Sequence, residues 1–304
     1  MDRPNTVTTL ATGLIRIIAP NPSKMTYWGT NTYILGNGAE RVLVDPGPDD
    51  LDHLRRCLEA LPQHARISHI LVTHAHKDHS AGAQRLSDLC SAPTYAFGDS
   101  LAGRMQIMID LAASGLVAGG EGVDLDFTPD HLLHDSEVLQ TPAGPITALH
   151  TPGHMGNHLC FAWNGHILTG DLIMGWSSSL ISPPDGDAAA FRESCKKLLK
   201  RSDLSLLPAH GAPVPDGASR ITALLKHRAH RENQIIEALA NGPLDLPQLT
   251  ERVYGAVDSF TFQAAQRNTF AHLIDLAQQS RVTAHPHLHE TAEFRAVLKK
   301  VKEN

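Results

Sequence analysis

The sequence predicts an α/β fold in which helices cover β-sheets, followed by a smaller helical domain. Two observations carry this prediction. Between residues 14 and 211, short β-branched runs bounded by Gly, Pro or Asn alternate with helical patterns, as in sheets covered by helices. From about residue 218 onwards the pattern becomes long and helical. We therefore expect one domain over residues 1–215 and a second over residues 216–304.

The elements of the first domain follow from periodicity and from the flanking turn residues. Leucines recur at helical spacing within 51–61, behind the capping residues Asp49 and Asp50. Further helices are predicted at 79–90 and 187–200. Strands are predicted at 14–20, 31–37, 41–47, 68–74, 93–98, 136–140, 144–151, 158–163, 166–170 and 205–209. The Gly-rich residues 103–130 fit neither a strand nor a single helix, and are expected to form either a lid or a surface insertion.

The second domain is predicted to have the order helix, helix, hairpin. A long helical pattern covers 218–239, and NGP at 241–243 interrupts it. LDLPQLTERVYG (244–255) follows, then a helix that places Phe270, Leu273, Ile274 and Ala277 on one face, and then the strand-like RVTAH. This is the order of a small winged-helix-like module. Such a module would bind nucleic acid, pack as a lid or form a homodimer surface, and its near-neutral charge favours packing.

Composition excludes several classes of protein. The 304 residues are 42% hydrophobic and 19% charged, which is typical of a globular protein. No apolar run is long enough for a transmembrane helix, and the first residues lack a secretory pattern. The net charge of −6 counts against strong non-specific binding of nucleic acid. Four widely spaced cysteines are expected to be reduced thiols, so we expect a cytoplasmic protein.

The strongest local signal is THAHKDHS, residues 73–80, directly after a predicted strand. Alternate residues of an extended segment point the same way, so His74 and His76 can bind one metal ion. The chain then turns into a helix, which lets Asp78 and His79 face a second ion. Imidazole and carboxylate ligands suit Zn²⁺, and also Fe or Mn.

Three further segments place ligand-type residues after strands. HTPGH offers His154, LTGD offers Asp171 and PAHG offers His210. A buried, unpaired carboxylate at Asp171 would pay a large desolvation cost, which a pair of bridged cations removes. Two such cations would acidify a water molecule and polarise the attacked carbonyl or phosphoryl group, so that a metal-bound hydroxide is the nucleophile. Asp78 is the natural group to orient that water or accept its proton.

This series of motifs resembles the metallo-beta-lactamase superfamily. The resemblance implies an αββα sandwich with two divalent metal ions at one end. It assigns His74, His76 and His154 to one ion, Asp78, His79 and His210 to the second, and Asp171 to both. Asp45 of VDPG resembles a further motif residue that supports the metal loop. WGTNTYILG (28–36), HTPGH and HRAHRENQI (227–235) resemble the beta-lactamase-like protein 2 group, which includes single-strand endoribonucleases.

The superfamily fold leaves the substrate open. The first hypothesis is a hydrolase of small esters, thioesters or lactones. The second is an endonuclease on single-stranded RNA, with KHRAHR (226–231) as either a nucleic-acid contact or, the favoured reading, a solvated basic helix face. The third is a winged-helix nucleic-acid-binding protein with a structural metal domain, against which the complete ligand set argues. Trp176 and Ser177 follow Asp171 closely and are candidate substrate contacts, although core packing is favoured for Trp176.

Overall fold

The computed structural model of this protein describes residues 3–117, 122–201 and 205–297. Its strands are β1 Val7–Ala11, β2 Leu14–Ile18, β3 Asn31–Leu35, β4 Glu40–Val44, β5 Arg66–Leu71, β6 Thr94–Ala96, β7 His131–Leu132, β8 Val138–Thr141, β9 Gly144–His150, β10 Leu159–Trp163, β11 His166–Gly170, β12 Ser205–Pro208, β13 Val282–His285 and β14 Glu293–Ala296. Its helices are α1 Leu51–Glu59, α2 Lys77–Ser80, α3 Ala83–Cys90, α4 Gln106–Ala113, α5 Ala188–Leu199, α6 Gly217–Leu239, α7 Leu246–Tyr254 and α8 Ser259–Gln278.

Two mixed sheets form the first part of the molecule. The first has the order β1-β2-β3-β4-β5-β6-β7 and the second the order β12-β11-β10-β9-β8. Strands β4, β5, β6 and β7 run parallel to one another. In the second sheet β11 and β12 are parallel, while β10 is antiparallel to both β9 and β11. Strands β9, β11 and β12 therefore run in one direction, and their carboxyl ends lie at one edge.

Side chains alternate between the faces of each sheet and define four layers. In β3, Tyr33 and Leu35 pack between the two sheets with Phe161 of β10, whereas Ile34 packs under α1 and α3. In β10, Cys160 and Ala162 pack against α5 and the start of α6. The order helix, sheet, sheet, helix follows from this period-two alternation, since each sheet buries both faces. The αββα sandwich predicted from the sequence is confirmed.

The C-terminal elements form a separate apolar cluster. Helices α6, α7 and α8 pack with the antiparallel hairpin β13–β14, and Phe270 meets Phe294 in an edge contact. Met108 and Leu111 of α4 belong to the same cluster. The predicted order of helix, helix and hairpin is present, and α6 begins at Gly217 behind its capping residue Asp216. The domain boundary near residue 215 and the winged-helix identity of this module stay predictions.

Most predicted elements lie within two or three residues of the observed ones, and the differences concern one helix, two strands and residues 103–130. The predicted helix 79–90 is two helices, α2 and α3, that meet around Gly82. Strands β1 and β7 were not predicted, because their exposed and half-buried residues give no clear apolar pattern. Residues 103–130 contain α4, and a later residue of this stretch contacts THAHKDHS, since the Gly122 carbonyl accepts a hydrogen bond from the Lys77 N–H. Residues 118–121 lie outside the described part. Within the described residues, no helix combines the length and apolarity that a bilayer span requires.

A buried histidine makes the stability of the sandwich depend on pH. His53 of α1 is fully buried, with its Nε2 atom 2.9 Å from Thr32 Oγ1. Burial lowers the pKa of His53 from 6.5 to about 4. Between these values the unfolded chain binds more protons than the folded one, so this contribution to stability is present above pH 6.5 and is lost as the pH falls toward 4.

We expect the stability difference between the wild type and His53→Gln to shrink by up to about 3 kcal/mol from pH 7 to pH 4. The glutamine variant lacks the titrating ring and so lacks this contribution. Denaturant unfolding at several pH values measures the difference. His64→Gln, at an exposed position, is the control and should keep the wild-type profile. A difference for His53→Gln that is independent of pH would contradict the assignment.

Candidate active site

Strand ends bring the predicted ligand residues to one end of the sandwich. His74 and His76 follow β5, and Asp78 and His79 lie in α2. His154 follows β9, Asp171 follows β11 and His210 follows β12. Because β9, β11 and β12 run in one direction, these three residues leave the second sheet at the same edge. All seven predicted ligands occur in three overlapping groups whose ligand atoms lie within 4.8 Å of one another.

The first group consists of His74, His76 and His154. His76 Nδ1 lies 2.9 Å from His74 Nε2 and 3.0 Å from His154 Nε2. His154 Nδ1 donates to the Leu180 carbonyl at 2.8 Å, which leaves the lone pair of its Nε2 pointing into the group. A proton on His76 Nδ1 could form a hydrogen bond with only one of these two nitrogens. Three buried imidazole nitrogens that converge in this way fit a shared cation.

A close backbone approach positions His154. The neighbouring Gly153 has φ +148°, and a Cβ there would lie 2.4 Å from the Phe191 Cα in α5. The Gly153 carbonyl also accepts a hydrogen bond from the Asp187 N–H at the start of α5. Only glycine therefore allows the HTPGH turn to pack this closely against α5 and to direct the His154 ring inward.

The second group consists of Asp78, His79 and His210. Asp78 Oδ2 lies 3.3 Å from both His79 Nε2 and His210 Nε2. His79 Nε2 is buried and lacks a hydrogen-bond partner among the described residues, as does Asp171 Oδ1. Buried polar atoms are almost always satisfied in folded proteins. These two atoms face the same space, which is the expected arrangement of ligands to a cation.

Asp171 joins the two groups through its two oxygens. Its Oδ1 lies 3.2 Å from His210 Nε2 and 3.6 Å from His79 Nε2, while its Oδ2 lies 3.7 Å from His154 Nε2. One carboxylate oxygen therefore faces each group. This is the geometry that a bridging ligand requires.

Asp45 supports both groups from behind. Its carboxylate accepts hydrogen bonds from the Thr73 N–H at 2.8 Å, the Thr73 hydroxyl at 2.9 Å and His79 Nδ1 at 3.0 Å. His74 Nδ1 lies 3.0 Å from the same Thr73 hydroxyl. Asp45 thus fixes the outer nitrogen of His79 directly and that of His74 through Thr73. Such partners set the tautomer and the orientation of a metal-binding imidazole.

Charge differs between the groups. Burial lowers the pKa of His76 to about 3, and burial also holds the pKa of His74 well below its ordinary value. Burial opposes charge at His210 too, but the Asp171 and Asp78 carboxylates outweigh it and raise its pKa to about 10. His74 and His76 are therefore neutral, whereas the second group carries the carboxylates. A cation that bound to the second group would replace the proton that His210 holds there.

Comparisons with known proteins agree with this geometry. The family model described as metallo-beta-lactamase superfamily matches residues 25–210. The chain belongs to the metallo-beta-lactamase superfamily. It has the fold and the ligand-type residues of the superfamily's metal-dependent hydrolases.

The relatives extend over most of the chain. The chain is 29% identical to the beta-lactamase-like protein 2 homolog of Drosophila melanogaster over 91% of both chains. It is 30% identical to an atrochrysone carboxyl ACP thioesterase of Cryptosporiopsis sp., covering 74% of this chain and 62% of that protein. Among solved structures, a metallo-beta-lactamase family protein from Thermus thermophilus matches with a TM-score of 0.75 at 21% identity, covering 95% of this chain and all of that one. A beta-lactamase domain protein from Burkholderia ambifaria matches with a TM-score of 0.79 at 19% identity, covering 96% and 93%.

A cavity of about 420 Å³ opens onto the superfamily site. Its lining includes five of the predicted ligands, His76, Asp78, His154, Asp171 and His210. The other walls are largely apolar and include Met25, Met174, Leu180 and Ala265. Thr261, Ala264, Ala265 and Asn268 share one face of α8, so the C-terminal part of the chain forms a wall of the cavity. The Asn268 side chain fixes this wall by accepting a hydrogen bond from the Ile181 N–H at 3.1 Å.

Two sequence interpretations of nearby residues need correction. Trp176 is not a core residue, because it is 37% exposed, stacks on Tyr27 and lines the cavity beside Ser177. KHRAHR is not simply a solvated basic face. Arg228 is buried over the Phe191 ring and donates to the Ser179 carbonyl, while Arg231 lies over the Tyr254 ring and donates to the Val253 carbonyl.

Sequence reasoning missed Thr30, which contacts a predicted ligand directly. The Thr30 hydroxyl donates to Asp78 Oδ2 at 2.9 Å and accepts from the Asn21 side-chain amide at 3.0 Å. Thr30 lies in the WGTNTYILG segment, which was noted only for its resemblance. A lone threonine before a strand gives no signal of its own. Its role depends on the approach of residues 21–30 to α2, which local sequence does not encode.

Proposed function

We propose that this protein is a dinuclear-metal hydrolase that cleaves acyl thioesters. The observation that carries the proposal is the apolar cavity that ends directly on both ligand groups. An apolar acyl group fits these walls, and its carbonyl would lie at the ligands. Relatives that are named as ACP thioesterases support the same class of substrate.

The ligand groups suit two divalent ions. His74, His76 and His154 would hold one, Asp78, His79 and His210 the other, and Asp171 both. Imidazole and carboxylate donors suit Zn²⁺, and Fe and Mn²⁺ accept the same ligands. Two such ions supply Lewis acidity at the carbonyl and lower the pKa of a bound water molecule.

The protein's own groups then position and move the proton. Burial opposes ionisation of Asp78, but the neighbouring His79 and His210 keep its pKa well below the ordinary value, so it remains a carboxylate. Thr30 fixes one of its oxygens, and the carboxylate can orient the attacking water and accept its proton. The water oxygen adds to the thioester carbonyl carbon, and the C–S bond then breaks. The proton goes to the leaving sulfur, and the products are a carboxylic acid and a thiol.

The structure gives less support to an RNA substrate. A nuclease of this kind would use a basic surface to bind phosphates. The arginines of KHRAHR, Arg228 and Arg231, instead make contacts inside the protein. The third hypothesis, a winged-helix binding protein, does not explain why α8 lines the cavity over the ligands.

The test is thiol release from butanoyl-CoA by metal-loaded protein, measured with a chromogenic thiol reagent. We expect hydrolysis by the wild type, and a loss of at least about a thousandfold in His74→Ala/His76→Ala, because both residues belong to the first ligand group. His227→Ala/His230→Ala removes two exposed histidines of α6 and should retain activity. Labelled single-stranded RNA is assayed in parallel. Metal-dependent RNA cleavage without thioester hydrolysis would overturn the proposal.

A further inference from the structure

A second cavity adjoins the one over the ligands. It has a volume of about 660 Å³, and Met25, Leu180 and Ala264 line both cavities. None of the predicted metal ligands lines the second cavity. The two spaces are therefore neighbours across a wall of three apolar residues that come from three separate segments of the chain.

The second cavity lies within the C-terminal part of the molecule. Its apolar lining includes Leu246 and Pro247 of α7 and Phe260 and Phe270 of α8. Polar side chains contribute as well: Gln263, Gln266, Arg267, Glu290 and Thr291. Phe260 is 43% exposed and Met25 is 39% exposed, so both apolar side chains are accessible to a molecule in the cavity.

We infer that the second cavity binds the distal part of a long apolar acyl chain, so that the preferred substrates are long-chain acyl thioesters. This inference rests on the proposed function. With the carbonyl at the ligands, an extended chain that outgrows the first cavity continues past Met25, Leu180 and Ala264 into the second. Each methylene buried there strengthens binding by the hydrophobic effect.

The same three apolar residues argue against placing the thiol arm of the substrate in the second cavity. The thiol arms of acyl carriers contain amide groups, which need hydrogen-bond partners when they leave water. Met25, Leu180 and Ala264 offer no polar side-chain atom to such an arm. An acyl chain passes these three residues at no such cost, which favours the acyl part at this position.

The inference is tested with butanoyl, octanoyl and dodecanoyl thioesters of both N-acetylcysteamine and coenzyme A, used below their micellar concentrations. For the wild type we expect kcat/KM to rise with acyl length, by up to about fourfold for each methylene that becomes buried. Gln266→Trp fills part of the second cavity from α8, and Gln266 does not line the first cavity. It should lower kcat/KM for dodecanoyl substrates at least about tenfold and leave butanoyl substrates within about twofold.

Thr291→Trp fills the second cavity from the turn before β14 and should give the same selective loss, so the test does not depend on a single variant that folds. Gln278→Trp adds the same ring at an exposed position at the end of α8 and should change nothing. Equal losses for short and long acyl chains in both cavity variants would overturn the inference, as would a kcat/KM that depends on the thiol arm and not on acyl length. No hydrolysis of any thioester by the wild type would instead refute the proposed function.

Discussion

Replacing Asp171 by asparagine is expected to lower kcat/KM for thioester hydrolysis by at least about a thousandfold. The two oxygens of Asp171 face different ligand groups, with His154 on one side and His79 and His210 on the other. An amide keeps the size of the side chain but loses the charge and one oxygen. We therefore expect the wild type to bind about two metal ions per chain and the variant at most about one.

Metal content by mass spectrometry and steady-state kinetics measure this effect. Asp88→Asn is the matched control, since Asp88 is an exposed carboxylate on α3 that accepts a hydrogen bond only from Gln84 among the described contacts. It should retain both ions and full activity. An Asp171→Asn protein that is folded, holds two ions and hydrolyses thioesters at the wild-type rate would exclude a bridging role for this residue.

The second large effect is expected for Asp45→Asn. Asp45 accepts hydrogen bonds from the Thr73 hydroxyl and His79 Nδ1 through the same oxygen, and the Thr73 hydroxyl contacts His74 Nδ1. Asparagine has only one acceptor oxygen for these three donors. Its NH₂ group must therefore face either the Thr73 hydroxyl and His79 Nδ1 or the Thr73 N–H, and it can accept from neither. One histidine of each group then loses its fixed orientation, and we expect metal affinity and kcat/KM to fall about 10- to 100-fold.

Asp45→Asn should also lower the stability of the metal-free protein. A buried donor that loses its acceptor costs about 1–3 kcal/mol. Thr73→Val is the informative companion, because it removes the link to His74 and keeps the contact between Asp45 and His79. It should weaken the metal site less than Asp45→Asn does. Metal titration and denaturant unfolding of both variants measure these effects, and identical losses would mean that Asp45 acts only through Thr73.

The site was more predictable than its surroundings. THAHKDHS places four ligand-type residues within one short segment, so local spacing alone indicates a metal site. His154, Asp171 and His210 were found because each follows an apolar strand, and strands that run in one direction end at one edge. Asp45 was identified only through the resemblance to the superfamily, since one aspartate in a turn has no distinguishing local pattern.

The surroundings depended on contacts between distant segments. The sequence predicted α8 from its periodicity, but periodicity does not tell which neighbour an amphipathic face will meet. The position of Thr261 and Ala264 over the ligands, the contact from Thr30 to Asp78 and the burial of Arg228 each join segments far apart in the chain. Arg228 was expected on a solvated face because its charge favours water, but the Phe191 ring and the Ser179 carbonyl compensate for its burial.

The residue pattern by itself therefore predicted sheets covered by helices and a metal site at THAHKDHS, because these depend on side-chain alternation and on residues that follow strands. The αββα class and the assignment of the seven predicted ligands came from the resemblance to the superfamily. Only the tertiary structure decided the shape of the cavity and the part that the C-terminal helices take in it. Those features arise where α7 and α8 pack against the segments around Met25 and Leu180. Such packing depends on the fit of whole surfaces, which no local pattern of residues records.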